Sequence, residues 1–376
     1  AHIAQHFRIF VSSQTVIRGV PSPKWTGTYC PTLPDFCVFA DRDSRSTVTD
    51  MPRARKHLVC VSDTPFYHVT SRCVRRAFLC GVDRYSGKSY EHRRGWIEDR
   101  VRVLSSLFSI RLCAYAVMSN HYHLVVKLCP EEPVSWSDDE VLSRWTALFQ
   151  GPLLVQRYRA GASMSEAERD CVRACVAVYR SRLGSLSWFM KCLNERIARQ
   201  ANAEDQCTGH FWEARFHSQP LRSERALLAA MAYVDLNPVR ARIARTPEQS
   251  DYTSIWARIQ GDPPSALKEA VSRLLRRSEL KHFRSPLRPL MPFADGIAPS
   301  DHCHRTEDPL PMRESEYLKL VDSTGRAVQA GKRGAIDSTL APILERLGLT
   351  AEQWVKASNS FRQHYRNGDL RLKQTA

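Results

Sequence analysis

Two short clusters have residue types and spacings that could act on a phosphate. His121-Tyr122-His123 opens an apolar run that continues through Leu124-Val125-Val126 and reads as a strand. Alternate side chains of a strand share a face, so both imidazoles project together and Tyr122 projects the other way. Two neutral ring nitrogens on one face can hold a divalent cation and leave positions open for phosphate oxygens. The second cluster is Tyr233 with Asn237, inside Met231-Ala232-Tyr233-Val234-Asp235-Leu236-Asn237-Pro238. At helical pitch these two residues lie on one face. A phenol, with a reference pKa of about 10, is a poor nucleophile at neutral pH. Beside a phosphate polarised by a cation it can attack phosphorus and keep the bond energy as a phosphotyrosine ester. Each cluster has an ordinary alternative. Paired histidines occur on solvated strands, Asn-Pro is a common helix N-cap followed by Pro, and a tyrosine so placed can be a half-buried core aromatic. Neither cluster decides the matter alone.

A third stretch, residues 209–217, interleaves aromatic and basic side chains, as contact with exposed nucleotides requires. Its candidates for DNA contact are His210, Trp212 and Arg215. Arg72, Arg75 and Arg76 after the first strand, Lys191 and Arg196 on a later helix, and Arg240 could extend a phosphate track. The structural alternative is a strand with one buried aromatic face and solvated charges elsewhere.

The elements that must position these residues follow from periodicity. Strands are expected at residues 64–72, 111–118, 121–128 and 209–221, with Ser119-Asn120 turning the chain between the second and third. Helices are expected at 93–109, 186–203 and 224–244, the last at least as far as Asn237. Residues 130–183 read as a helical insert. Beyond residue 262, basic helical patches alternate with a Pro-rich linker at 286–311, followed by short helices at 340–347 and 351–361. A sharp change of character at Met51 suggests that the natural chain begins there and that residues 1–50 lack a stable fold. The expected organisation is a 1–50 extension, a 51–260 domain carrying the insert, and a basic, partly helical 261–376 region.

The chain has 376 residues, 43% of them apolar, enough to bury one or two cores. Lys and Arg exceed Asp and Glu by 55 to 39, giving a charge of +16 that points first to nucleic acid. No apolar stretch of about 18 residues is present to span a membrane, and no secretion signal opens the chain. The 12 cysteines are scattered without a CxxC pair, which favours reduced thiols in a cytoplasm. Asp301-His302-Cys303-His304 has metal-friendly residue types but no second ligand pair at zinc-finger spacing.

Taken in order, five segments resemble one family. They are Tyr67-His68-Val69-Thr70-Ser71-Arg72, the run from Tyr115 to Val126 with its His-hydrophobic-His motif, and Phe189-Met190-Lys191 through Asn194-Glu195-Arg196. Gly209-His210-Phe211-Trp212 through Arg215-Phe216, and Tyr233 through Asn237-Pro238-Val239-Arg240-Ala241, complete the set. The chain is similar to the REP-associated tyrosine transposases, relatives of the single-strand insertion-sequence transposases among the single-tyrosine HUH nucleases. The similarity spans residues 60–246, interrupted by the insert.

The resemblance implies an α+β fold, an antiparallel sheet with helices packed on it around a ferredoxin- or RRM-like core. It implies a tyrosine helix lying across the sheet from the histidines. His121 and His123 become ligands of Mg²⁺ or Mn²⁺, Asn237 takes the place of a third, polar ligand (Gln in some members), and Tyr233 becomes the nucleophile. The implied partner is single-stranded or hairpin DNA with REP-like palindromes, bound by a monomer or homodimer in the cytoplasm. A hairpin-binding regulator that no longer cuts is the alternative. A histidine-triad hydrolase would need a further histidine at Val125, and a rolling-circle initiator or relaxase would lack the Gly-His-Phe-Trp and Asn-Pro-Val-Arg blocks. The insert and the long C-terminal region depart from the family pattern.

Overall fold

The computed structural model describes residues 59–74, 79–83, 87–261, 288–296, 309–327 and 334–346. Residues 1–50, Arg75, Arg76, the Asp301–His304 cluster and the helix expected at 351–361 lie outside them. The described chain runs β1 (Phe66–Arg72), α1 (His92–Leu107), β2 (Ile110–Val117) and β3 (His121–Leu128), then four insert helices. These are α2 (Glu132–Ser135), α3 (Asp138–Thr146), α4 (Leu153–Arg159) and α5 (Glu166–Leu183). It continues through α6 (Leu186–Glu204), β4 (His217–Pro220), α7 (Glu224–Asp235), α8 (Asn237–Arg240) and α9 (Ser254–Gln260). Two C-terminal helices follow, α10 (Glu314–Arg326) and α11 (Ile343–Arg346).

The four strands form one sheet in the order β2-β3-β1-β4, with every neighbouring pair antiparallel. The fold is therefore mixed α/β, built on an antiparallel sheet with helices. The segment expected to be a strand over 209–221 is one only from His217 to Pro220. Before it, Gly209 takes a positive φ of 104° and a single bridge joins Trp212 to Cys73. The Trp212 indole donates to the Asn194 carbonyl at 2.8 Å, so this stretch packs its aromatic on α6 instead of extending a ladder. Pro220 has no N–H to donate, which suits β4 to the sheet edge.

Side-chain alternation divides the sheet into two faces. Tyr67, Val69, Tyr122, Leu124 and Val126 join the core formed with α1 and α6, including Leu104, Phe189 and Ile197. Ala114, Ala116 and Val125 join a second core with Leu227, Met231 and Val234 of α7 and Tyr317 and Leu318 of α10. In β2, Leu112 pairs with Val126 and Ala114 with Val125, so Cys113 is an extra residue in a bulge. The bulge puts Cys113 and Ala114 into the same core, beside Ala116. These small side chains let α7 lie close on the sheet.

That packing corrects one expectation. The tyrosine helix does not lie on the far side of the sheet from the histidines; α7 covers the face from which they project. The small residues of β2 accommodate it there, whereas α1 and α6 already fill the other face.

The insert joins the α1/α6 layer. Its longest helix, α5, starts with a capping box between Ser165 and Glu168. Buried Arg144 of α3 donates to the carbonyls of Ser106 and Leu107 at 2.9 and 3.1 Å, tying the insert to the end of α1. Among the described residues no helix is long and apolar enough to cross a membrane.

The C-terminal helices hold α7 from outside. Asp235, fully buried, accepts from the Tyr317 hydroxyl at 2.5 Å, the Ile255 amide at 3.0 Å and the Ser254 hydroxyl. Burial pushes its carboxyl from 3.8 up to about 6 against the pull of these donors. Arg240, only 6% exposed, donates to the carbonyls of Thr324 and Ala327 at 2.6 and 2.7 Å. Gly334 passes so close to α8 that a Cβ there would stand 2.0 Å from the Val239 carbonyl oxygen, so only glycine fits.

The folded chain therefore holds a proton on Asp235 at pH values where the unfolded chain has released it. The stability this contributes is fully present below pH 4 and is lost as pH rises through about 6. Asp235→Asn removes the titration and keeps an acceptor for Ser254 and Ile255. Between pH 4 and 7, unfolding free energy of the parent should fall relative to the variant by about 2 kcal/mol. Urea denaturation at each pH measures this, and parallel curves would refute the assignment.

Candidate active site

β1 and β3 bring the first part of the site together. Their register sets Arg72 opposite His121, Thr70 opposite His123 and His68 opposite Val125. Directly opposed residues share a face, so His68, Thr70 and Arg72 stand with both histidines of the His-x-His pair. The imidazoles of His121 and His123 meet edge to face with centroids 4.8 Å apart.

α7 supplies the tyrosine. Ser223 caps its start by accepting from the Ala226 amide at 3.1 Å. Leu227, Met231 and Val234 form its buried stripe. Tyr233, half-buried at the edge of that stripe, sets its ring 5.6 Å from that of His123 and 6.1 Å from that of His68, edge-on to both. Pro238 lacks the N–H that would continue α7. At this break Asn237, 7% exposed, turns its side-chain amide back to the Tyr233 carbonyl at 3.1 Å. The structure therefore brings His121, His123, Tyr233, Asn237 and Arg72 to one place, although more than a hundred residues separate the histidines from the tyrosine.

Burial pushes the Tyr233 phenol above its usual value, while hydrogen bonding from the Asn237 side chain and the Arg72 guanidinium pull it down. Burial also holds His68 down at about 4, with His217 of β4 acting the same way, so this imidazole is neutral at pH 7. His121 bonds through Nδ1 to the Asn120 side-chain oxygen at 2.5 Å. An amide oxygen only accepts, so Nδ1 carries the hydrogen and the lone pair of the neutral ring lies on Nε2. His123, 6% exposed, pairs its Nδ1 with Nε2 of His68 at 3.0 Å.

A second group holds the strands from the opposite face. The Tyr122 hydroxyl donates to the Asn194 side-chain oxygen, and the Asn194 amide donates to the Ser71 hydroxyl at 2.9 Å. Tyr122 lies between the two histidines in sequence and Ser71 precedes Arg72. Asn194 of α6 thus pins β1 to β3 where their front faces carry the site.

The remaining basic and aromatic candidates lie elsewhere. Lys191 and Arg196 are exposed on α6, in the layer on the other side of the sheet. Lys191 stands over the Trp188 ring at 4.6 Å. Trp212 packs its ring against Tyr122 at 5.7 Å and spends its N–H on Asn194. His210 and Arg215 are exposed ahead of β4. Arg240 is buried against the C-terminal segment, as described above. His68 and Asn194 lie in family-like segments, but the sequence assigns neither of them a role at the site. His68 shares the parity of Arg72 on the same strand, a signal usable only once the pairing with β3 is known.

Among the described residues no group of three or more His, Cys, Asp or Glu is arranged to hold a metal ion. The ligands expected on this face, His121, His123 and Asn237, are two imidazoles and one carboxamide. Imidazole nitrogen with a neutral amide oxygen is a borderline-to-hard set, compatible with Mn²⁺ and, less naturally, with Mg²⁺.

No protein-family model matches the chain, and no curated protein does. A solved structure described as that of a REP-associated tyrosine transposase bound to a REP hairpin is similar with a TM-score of 0.32 and 8% identity. The match covers 53% of this chain and 81% of that one. A likeness this slight has no bearing on the chemistry of the site.

Because Arg72 stabilises the phenolate form of Tyr233, Arg72→Gln should move ionisation of this phenol to higher pH. Carbon-13 NMR of the tyrosine Cζ, assigned with Tyr233→Phe, reads the shift directly. No movement, or movement to lower pH, would show that the two side chains do not interact.

Proposed function

We propose that the chain is a single-strand DNA transposase of the REP-associated tyrosine type, which cuts and rejoins DNA through Tyr233. The observation that carries this reading is the meeting of Tyr233 with His123 and Arg72 on the sheet face that also carries His121. The strand order β2-β3-β1-β4, with α1 and α6 sharing one core, supports a ferredoxin-like core of the split β-α-β kind. The charge of +16 supports a nucleic-acid partner, and the family-like segments support hairpin DNA with REP-like palindromes. A tyrosine that meets the histidines of its own chain favours a site completed within one subunit.

His121 and His123, with the carboxamide of Asn237, are the residues that would hold Mg²⁺ or Mn²⁺. A bound cation supplies polarisation of the scissile phosphate. The protein's own groups do the rest. The Tyr233 oxygen attacks phosphorus and forms the P–O bond of a 5′-phosphotyrosine. The P–O3′ bond breaks, and the phenolic proton ends on the released 3′-hydroxyl, so atoms and charge balance. Attack by a DNA 3′-hydroxyl on the phosphotyrosine reverses the exchange and frees the phenol. Arg72 favours the phenolate and can pair with a phosphate oxygen.

The test uses labelled single-stranded hairpin DNA with Mn²⁺. The parent should leave a covalent protein–DNA adduct on a denaturing gel, and Tyr233→Phe should leave none. Salt-sensitive hairpin binding should persist in the variant, because one hydroxyl contributes nothing to counterion release. An equal adduct in Tyr233→Phe would place the nucleophile elsewhere. Binding without any adduct in the parent would establish instead a regulator that no longer cuts.

A further inference from the structure

We infer that His68 is a positioning residue, whose imidazole fixes the tautomer and ring orientation of His123 as a metal ligand. The inference rests on the function proposed above. Nε2 of His68 and Nδ1 of His123 are 3.0 Å apart. The rings lie nearly parallel, 18° between planes and 5.1 Å between centroids. Tyr233 closes the other side of this stack, edge-on to both rings. The contact therefore couples the tautomer of His123 to that of His68 and constrains the rotation of its ring.

A neutral imidazole carries one ring hydrogen. With that hydrogen on Nδ1, His123 donates to His68 and keeps a lone pair on Nε2 for a cation. With the opposite polarity, His68 donates, the hydrogen of His123 sits on Nε2, and ligation from that atom is blocked. Cation binding selects the first arrangement, in which His68 accepts at Nε2 and keeps its own hydrogen on Nδ1.

His121 reaches the same state by another route, since the Asn120 oxygen at its Nδ1 also leaves the lone pair on Nε2. Both members of the pair are thus prepared through Nδ1 by a neighbouring side chain. Ligating histidines commonly donate their second N–H to an oxygen acceptor; here β1 supplies a nitrogen. The strand pairing makes this possible. His68 stands two residue pairs along from the Thr70–His123 pair, on the same face.

The test compares full-length parent, His68→Leu and His68→Gln. Calorimetric titration with Mn²⁺ alone should show affinity reduced by about 10–100-fold in His68→Leu, the range for loss of such a partner. His68→Gln, whose carboxamide oxygen can accept the same hydrogen, should recover most of the loss. Nitrogen-15 NMR of labelled histidine should show the His123 hydrogen on Nδ1 in the parent with Mg²⁺, a diamagnetic cation, added, and a mixed tautomer in His68→Leu. Mn²⁺ affinity unchanged in His68→Leu, or a hydrogen on Nε2 of His123 in the parent with Mg²⁺ added, would overturn the inference. If His68→Leu fails to fold, the parent spectrum and His68→Gln still decide. A parent that takes up no Mn²⁺ while its His123 tautomer depends on His68 would defeat the proposed function and leave the positioning role standing.

Discussion

The site depends on the register between β1 and β3. Side chains on paired strands alternate with a period of two, so a slip of one residue would exchange the two faces of β3. His121 and His123 would then point into the layer of α1 and α6, and Tyr122 would enter the site. The native register sets Arg72 and Thr70 opposite the two histidines and keeps Tyr122, Leu124 and Val126 in the core. Burial of Tyr67 and Val69 from β1 and of Tyr122, Leu124 and Val126 from β3 on one face favours this register, at roughly 1.5–3 kcal/mol for each such side chain. The positions of the polar groups on the front face follow from the apolar ones behind them.

Two polar ties reinforce that arrangement from opposite directions. Behind the sheet, Asn194 links Tyr122 to Ser71 and receives the Trp212 indole on its carbonyl. In front, Asp235 gathers donors from α9 and α10 onto the helix that carries Tyr233. Burying a carboxyl in this way is costly unless its partners are well placed. The cost is accepted two residues from Tyr233, where displacement of α7 would move the phenol from the histidines.

The electrostatics of the site are spare. Its imidazoles are supplied by strands, its phenol by a half-buried helix edge, and Arg72 is the cation whose field lowers the phenol's ionisation. Burial alone would make Tyr233 a worse nucleophile than a free phenol. On the function proposed above, attack by the phenol would draw positive charge from Arg72 and from a cation held by the histidines. This combination fits phosphoryl exchange, in which negative charge accumulates on the oxygens around phosphorus.

Much of this was legible in the residues themselves. The strand at 121–128, the helices beginning near 92, 186 and 224, and the shared face of His121 and His123 all follow from periodicity, which local backbone geometry enforces. The spacing of Tyr233 and Asn237 was equally plain. What the sequence could not decide was which elements lie against which. Pattern alone does not reveal that the Cys113 bulge and the alanines of β2 admit α7 on the histidine face. Nor does it show that Trp212 is held by α6, that Arg240 is spent on C-terminal carbonyls, or that His68 stands beside His123. Local sequence sets which way a side chain points along its own strand or helix. Only long-range packing, in which buried area and hydrogen-bond satisfaction are settled for the whole chain at once, decides what that side chain meets.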